Sequence, residues 1–178
     1  MNAHEIKAEV ASYFRYKRQC SIVAFETPNN CKWYDGEPAD VLAVDDRRML
    51  YEIEVKISMA DFRHDATKTK HRLFTNDPTF RPVNYFYFAV PTEIANQVEE
   101  ECRSLYPYAG VIRVHKISES TSGISGASVT KSPRMLNNNR LALKEIVWLV
   151  NAQSGTLCRL SRENVKLRAV LKVLEGTK

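Results

Sequence analysis

The chain has 178 residues, of which 44% are hydrophobic and 26% charged, so it is long enough to fold around a core of its own. This composition excludes a chain that is disordered throughout, and the longest apolar runs are far too short to cross a bilayer. Lys and Arg number 26 against 21 Asp and Glu, and the net charge of +5 is compatible with a polyanionic partner without requiring one. The four cysteines form no Cys-x-x-Cys pair, and the polar N-terminus is unlike a signal peptide. We therefore expect one cytoplasmic, non-membrane domain spanning residues 1–178, with reduced thiols.

Hydrophobic periodicity predicts a mixed α/β chain. Apolar residues at helical spacing, such as Ile6, Val10 and Phe14, indicate helices, and β-prone apolar runs indicate strands. The aromatic run at residues 85–88 is expected to lie in the sheet core rather than to stack on bases. The predicted elements are helix 3–17, strands 20–25, 39–44 and 50–57, helix 59–74, strand 85–90, helix 92–105 and strand 110–114. This α-β-β-β-α-β order predicts a small mixed sheet flanked by helices.

The last third of the chain has a different composition. Residues 118–133 are rich in Ser, Thr and Gly and contain few large apolar side chains, which predicts a flexible loop within the domain. Two helical stretches, 136–150 and 162–174, form a C-terminal tail. The loop is expected to be a connection, although it could instead fold over bound nucleic acid. The basic residues of the tail either extend a binding surface or keep the protein soluble.

Three polar residues on two neighbouring strands predict a metal site. Asp40 starts an otherwise apolar strand, where a buried carboxylate needs a partner. Apolar and polar residues alternate in strand 50–57, so Glu54 and Lys56 project from the same face. If the two strands pair, Asp40, Glu54 and Lys56 converge. Two carboxylates, a strand carbonyl such as that of Val55, and waters suit Mg²⁺ or Mn²⁺, and a lysine can orient the water that such an ion activates.

These residues resemble a known family. Pro-Ala-Asp at residues 38–40 and Glu-Val-Lys at residues 54–56 are similar to the motif of the PD-(D/E)xK nucleases, which have the restriction-endonuclease-like fold. Over about residues 5–114 the chain also resembles small MmcB-like DNA-repair proteins and their phage relatives, through residues 54–58, 61–63, 65, 68–71, 85–91 and 108–112. The resemblance implies a metal-dependent nuclease that acts on DNA, in which Asp40 and Glu54 bind the metal and Lys56 serves catalysis. It points to DNA repair or phage nucleic-acid processing as the setting.

Members of this superfamily often add a glutamate from the first helix or strand. By resemblance this role falls on one of three residues in the present chain, and Glu9 and Glu26 are better placed for it than Glu5. Target-recognition segments of the kind that restriction enzymes often carry are not evident in this sequence, which argues against sequence-specific cutting.

A basic run follows the predicted metal site. Because the run comes directly after the strand that carries Glu54, we expect it to contact phosphates, with a solvated helix face as the alternative. Its members are Arg63, Lys68, Lys70, His71 and Arg72. His64 and His71 have no spacing partner that would predict a metal ligand, so both are expected to be surface histidines.

Simpler interpretations of the site residues remain open. Asp40 would accept backbone hydrogen bonds at a strand start, and Glu54 and Lys56 would lie on a solvated strand face, an interpretation that Glu52 fits better. Three functions therefore stand side by side: a metal-dependent DNA nuclease, a non-catalytic nucleic-acid-binding module of the same fold, and an RNA-directed nuclease. The intact Asp-Glu-Lys set favours catalysis, since two carboxylates would weaken DNA binding unless a cation neutralised them.

Overall fold

The computed structural model describes residues 1–26, 38–76, 83–115 and 125–175, with side chains as far as residue 169. Five α-helices and six strands make up the described fold, together with a π-helical turn after the first helix and a 3₁₀ turn after the second. The elements are α1 (Ala3–Ser12), the π-helical turn Tyr13–Lys17, β1 (Ile22–Phe25), β2 (Val41–Val44), β3 (Leu50–Val55), α2 (Met59–His64), the 3₁₀ turn Asp65–Thr67, α3 (Thr69–Asn76), β4 (Tyr85–Pro91), α4 (Thr92–Leu105), β5 (Gly110–Val114), β6 (Ala127–Lys131) and α5 (Leu143–Glu175).

The six strands form one mixed sheet whose spatial order is the chain order, β1-β2-β3-β4-β5-β6. The first three strands pair antiparallel, and Val41 of β2 lies opposite Ile53 of β3. Strands β3, β4 and β5 pair parallel because helices cross over between them, and β6 closes the sheet antiparallel to β5. The predicted mixed α/β fold and its α-β-β-β-α-β order are thereby confirmed.

Helices cover both faces of the sheet. On one face, Ile6, Val10 and Phe14 of α1 and its π-helical turn pack against the odd-numbered apolar residues of β3. On the other face, α2, α3, α4 and the start of α5 pack around Phe86 and Phe88, which are fully buried. The aromatic strand therefore lies in the core, as predicted. Because β3 is covered on both sides, its polar face is buried as well.

The structure corrects the prediction of a loop over residues 118–133. Residues 127–131 form strand β6, while residues 116–124 lie outside the described part of the chain. Strand β6 lies at the edge of the sheet and needs few large side chains. Ala127 is its one fully buried residue, and Val129 packs only partly against the core. Its Ala-Ser-Val-Thr-Lys sequence therefore carries a weak strand signal.

The structure also corrects the prediction of two helices in the tail. One helix, α5, runs from Leu143 to Glu175, and residues 136–142 are not helical. The buried Asn84 holds this connection: its side-chain amide donates to the carbonyl oxygens of Asn137 and Asn139 at 3.0 and 2.8 Å. These bonds compete with helix formation, whereas Gly155 is tolerated inside α5.

Across the described ranges, no helix combines the length and the apolar character that crossing a membrane requires. Cys20 and Cys102 are buried and Cys158 is exposed, and all three are free thiols. Cys31 lies outside the described residues.

Candidate functional site

Glu54 and Lys56 lie at the C-terminal end of β3, on the face that α2 and α3 cover. Their exposed fractions are 2% and 5%, so the interpretation as a solvated strand face is wrong for both. The Lys56 Nζ lies 3.5 Å from Glu54 Oε2, which places the two side chains together as the alternation predicted. The backbone of Lys56 is fixed by β4, because its N–H donates to the carbonyl oxygen of Ala89 at 3.0 Å.

Asp40 precedes β2 and is docked on the backbone of β3. Its Oδ2 accepts a hydrogen bond of 2.8 Å from the N–H of Val55, the residue between Glu54 and Lys56. Its Oδ1 lies 2.9 Å from the Nζ of Lys7, which reaches over from α1. The simpler interpretation of Asp40 as a backbone acceptor is therefore correct as well. Asp40 adjoins the Glu-Val-Lys segment, yet it and Glu54 are neutralised by different lysines.

The structure distinguishes the candidate additional glutamates. Glu26 shares Lys7 with Asp40, at 2.9 Å, and its N–H bonds to the Asp40 carbonyl. Glu9 instead binds the N–H of Gly126 at 2.7 Å, at the start of β6, and Glu5 forms the capping box of α1 with Asn2. Of these three residues, Glu26 is the one that lies beside Asp40.

Three lysine ammonium groups surround the Glu54 carboxylate. Lys56 and Lys68 approach Oε2 at 3.5 and 3.0 Å, and Lys70 pairs with Oε1. Burial alone would raise the pKa of Glu54, but the charges of Lys70, Lys68 and Lys56 outweigh burial and hold that pKa below its usual value. Glu54 is thus kept ionised although it is buried.

Glu52 belongs to the same buried cluster, so the prediction that it lies on a solvated strand face is wrong. Its side chain is fully buried, and its Oε1 lies 2.9 Å from the Nζ of Lys70. Two buried carboxylates therefore share one buried lysine. The alternation in β3 predicted the face of the sheet from which Glu52 projects. It could not predict that α3 buries this face, because that burial comes from tertiary packing.

A chain of buried hydrogen bonds holds Lys56 from its other side. The Nζ of Lys56 lies 2.5 Å from Asp65 Oδ1, and the second oxygen of Asp65 bonds to His71 Nε2. His71 Nδ1 in turn lies 2.7 Å from the hydroxyl of Tyr108. Burial would raise the pKa of Asp65, but the hydrogen bond from His71 and the charge of Lys56 lower it overall. Asp65 and Tyr108 were not predicted as site residues, although both belong to the segments that carry the resemblance. The i, i+3 spacing of Asp65 and Lys68 was a further local signal for Asp65.

Only part of the basic run at residues 63–72 is exposed at the surface. Lys70 and His71 are buried in the network just described, with exposed fractions of 2% and 5%, so the prediction that they contact phosphates is corrected by the packing of α3. Lys68 is partly exposed, although it is paired with Glu54 and Asp65. Arg72 is exposed, and Arg63 is exposed but bonded to Glu101. His64 is exposed, in agreement with a surface histidine.

Within the described ranges, no three Asp, Glu, His or Cys side chains converge into a ready metal site. The predicted set has only two carboxylates and the Val55 carbonyl, and its donor atoms are the hard oxygens that Mg²⁺ and Mn²⁺ prefer. Lysine ammonium groups already lie on Glu54 and on Asp40, so both carboxylates are positioned to bind positive charge. The set therefore fits a divalent ion in donor type, provided that the ion displaces lysine side chains.

Comparison with known proteins supports the fold. The sequence matches no family model and no curated protein. It is similar in structure to the SPO1766 protein of unknown function from Silicibacter pomeroyi, with a TM-score of 0.57 and 16% sequence identity, over 91% of this chain and 90% of that chain. At this identity the similarity shows a shared fold and nothing about activity.

Proposed function

We propose that this chain is a metal-dependent nuclease that hydrolyses phosphodiester bonds of DNA. Asp40 and Glu54 would hold the metal with the carbonyl of Val55, Glu26 is the additional acidic residue, and Lys56 is the catalytic lysine. The observation that carries the proposal is the docking of Asp40 on the N–H of Val55, directly between Glu54 and Lys56, in a chain with the predicted α-β-β-β-α-β order of elements.

The described residues supply the groups that such a reaction needs. When bound, Mg²⁺ or Mn²⁺ would polarise the phosphoryl group and lower the pKa of a water molecule. Lys56, held by Asp65, offsets the charge that develops on the phosphoryl oxygens and orients the attacking water. Water adds to phosphorus while one phosphoester bond breaks, leaving a phosphate monoester and a hydroxyl group.

The exposed cations beside the site provide the expected DNA contact. Lys68 is partly exposed next to Lys56, and Arg72 is exposed on α3. Each cation that meets a phosphate releases counterions, so binding is expected to weaken steeply with salt. Lys70 and His71 have no part in this contact because they are buried.

The proposal is tested by cleavage of labelled single- and double-stranded DNA and RNA with Mg²⁺ or Mn²⁺. We expect Asp40→Asn, Glu54→Gln and Lys56→Ala each to lower the cleavage rate by about 100-fold or more. Glu52→Gln is the matched control for Glu54→Gln, since it removes a buried carboxylate that pairs with the same lysine but stands outside the Glu-x-Lys motif. Cutting that persists without metal, or that Glu52→Gln abolishes as fully as Glu54→Gln, would contradict the assignment. Cleavage of RNA alone would favour the RNA-directed alternative.

One observation favours a second candidate, a non-catalytic nucleic-acid-binding module. Both oxygens of Asp40 and both of Glu54 are engaged by an ammonium group or a backbone amide. A protein that never binds metal would keep these pairs. Binding of DNA that is unchanged by Mg²⁺, by Asp40→Asn and by Lys56→Ala, without any cleavage, is the result that this candidate requires.

A further inference from the structure

Helix α5 has two halves with different surroundings. In the first half Leu149 is fully buried, and Ile146 and Trp148 pack against the core. From Leu157 to Ala169 every side chain is exposed, and Leu157 and Leu160 also border a small cavity against Val23, Ala24 and Phe25 of β1. Because a helix of 33 residues is about 50 Å long, the second half leaves a long apolar stripe in water. Such a stripe on a solvent-exposed helix calls for a partner.

The exposed half carries a heptad pattern. Leucines and one asparagine recur at spacings that alternate between three and four residues. This places them on one side of the helix, at a and d positions. These residues are Leu157, Leu160, Asn164 and Leu167, and the sequence continues the spacing at Leu171 and Leu174. Leu157, Leu160 and Leu167 have exposed fractions of 58%, 45% and 63%. We call this set the α5 seam.

We propose that the α5 seam pairs with the same seam of a second copy of this chain, as a parallel, in-register, two-stranded coiled coil. The identity of the seam residues favours this occupant. Leu160 and Leu167 fall at d, the position where leucine favours two strands, and Leu157 falls at a. Asn164 also falls at a, where one asparagine specifies register and a dimer. In a parallel pair, Asn164 meets Asn164 of the second copy and each amide gains a hydrogen-bond partner.

Charges beside the seam support the parallel direction. Glu163 falls at a g position and Arg168 at the following e position. In a parallel dimer the g residue of one helix lies next to this e residue of the other, so Glu163 meets Arg168 twice by symmetry. Within one chain Glu163 lies 3.0 Å from Arg159, but that pair is exposed and contributes little, so it does not prevent the exchange.

The chain offers a matched pair of substitutions. Leu167 and Val165 are both exposed apolar residues of α5, at 63% and 68%, but Leu167 lies in the seam and Val165 lies at a b position outside it. Since both side chains are exposed in one chain, aspartate at either position is expected to leave the fold intact. Circular dichroism checks that expectation.

The experiment is sedimentation equilibrium of the full chain over a range of concentrations. We expect a dimer that dissociates on dilution, with Val165→Asp unchanged and Leu167→Asp raising the dimer dissociation constant by about 100-fold or more, because an aspartate would face the apolar seam. A wild-type chain that stays monomeric at every concentration overturns the proposal. So does a dimer that both variants weaken equally, or that neither weakens.

Charge exchange tests the direction of the helices. Glu163→Lys and Arg168→Glu are each expected to weaken the dimer, and the double variant is expected to restore it. A double variant no better than the single ones contradicts the parallel arrangement. None of these readouts uses cleavage, so the result is independent of the proposed nuclease activity.

Discussion

Lys56 lies between two carboxylates, and each of these is fixed by further ion pairs or hydrogen bonds. On one side stands Glu54, shared with two other lysines, and on the other stands Asp65, which bonds to His71. A flexible lysine side chain loses rotamer freedom in such surroundings, so its ammonium is fixed before any substrate binds. Asp65 is therefore expected to be a positioning residue for Lys56.

Replacement of Asp65 by Asn should show this role. Asp65→Asn leaves Lys56 and Lys68 with less compensating charge, and we expect the free energy of unfolding to fall by about 3 kcal/mol. At temperatures where the variant remains folded, we also expect a lower cleavage rate with little change in KM and an altered pH profile, because Lys56 contacts the reacting groups and Asp65 does not. Urea denaturation and steady-state kinetics measure the two effects.

Asp61→Asn serves as the control for this variant. Asp61 lies 3.9 Å from the same Lys56 Nζ, but its side chain is 42% exposed, so we expect a loss below about 1 kcal/mol. Equal effects of the two substitutions on stability and on cleavage would show that Asp65 has no particular role.

At the scale of residues, part of the candidate site could be predicted from the sequence. Strand alternation was enough to predict that Glu54 and Lys56 share a face, and the apolar strand made Asp40 conspicuous. The burial of Glu52, Lys70 and His71 could not be predicted, because a local pattern shows the direction of a side chain but not which helix will cover it. In the sequence, Lys70 is indistinguishable from the other members of the basic run. Only the packing of α3 on the sheet shows that it is buried.

At the scale of elements, strong periodicity was sufficient and weak periodicity was not. The five strands with large β-branched or aromatic residues were predicted within a few residues of their observed bounds, as was α4. Strand β6 was missed because an edge strand buries little. The continuous α5 was missed because residues 151–156 carry no large apolar side chain and include a glycine. The π-helical turn at Tyr13–Lys17 had no signal that we recognised.

Two glycines in different elements should respond oppositely to alanine. A Cβ at Gly110 of β5 would lie 2.6 Å from ring atoms of the buried Tyr87 and 3.0 Å from the carbonyl oxygen of Lys131, so Gly110→Ala is expected to cost about 2 kcal/mol. A Cβ at Gly155 of α5 would meet nothing within 4 Å, so Gly155→Ala is expected to stabilise by about 0.5–1 kcal/mol. Thermal and urea unfolding of both variants measure the difference. A destabilised Gly155→Ala would contradict the continuous helix.

At the scale of the whole molecule, the buried charges link folding to pH. The pKa values of Asp65 and Glu54 lie below their usual values in the folded protein, while in the unfolded chain they return to about 3.9 and 4.3. Between these values the unfolded chain binds more protons than the folded one. Stability from this source is therefore complete above about pH 5 and is lost as pH falls through the unfolded and then the folded pKa values.

Acid titration of stability tests this linkage. We expect the free energy of unfolding to be nearly constant between about pH 7 and pH 5 and to fall steeply below about pH 4. Asp65→Asn is expected to fall less steeply, because it lacks one of the two carboxyl groups. Urea denaturation at a series of pH values gives both curves, and parallel curves for the two proteins would contradict the assignment to Asp65.

The order of the strands in the sheet also bears on how the molecule is made. Each strand pairs with the one synthesised just before it, so as the chain leaves the ribosome every new strand meets a partner that already exists. Pairing of neighbours in sequence keeps the closing loops short and favours rapid folding. Helix α5 departs from this pattern, because it packs against β1 although more than 100 residues separate the two elements in sequence. Because α5 follows all six described strands in the sequence, the apolar surface of β1 that it covers stays open in the nascent chain until α5 has been translated.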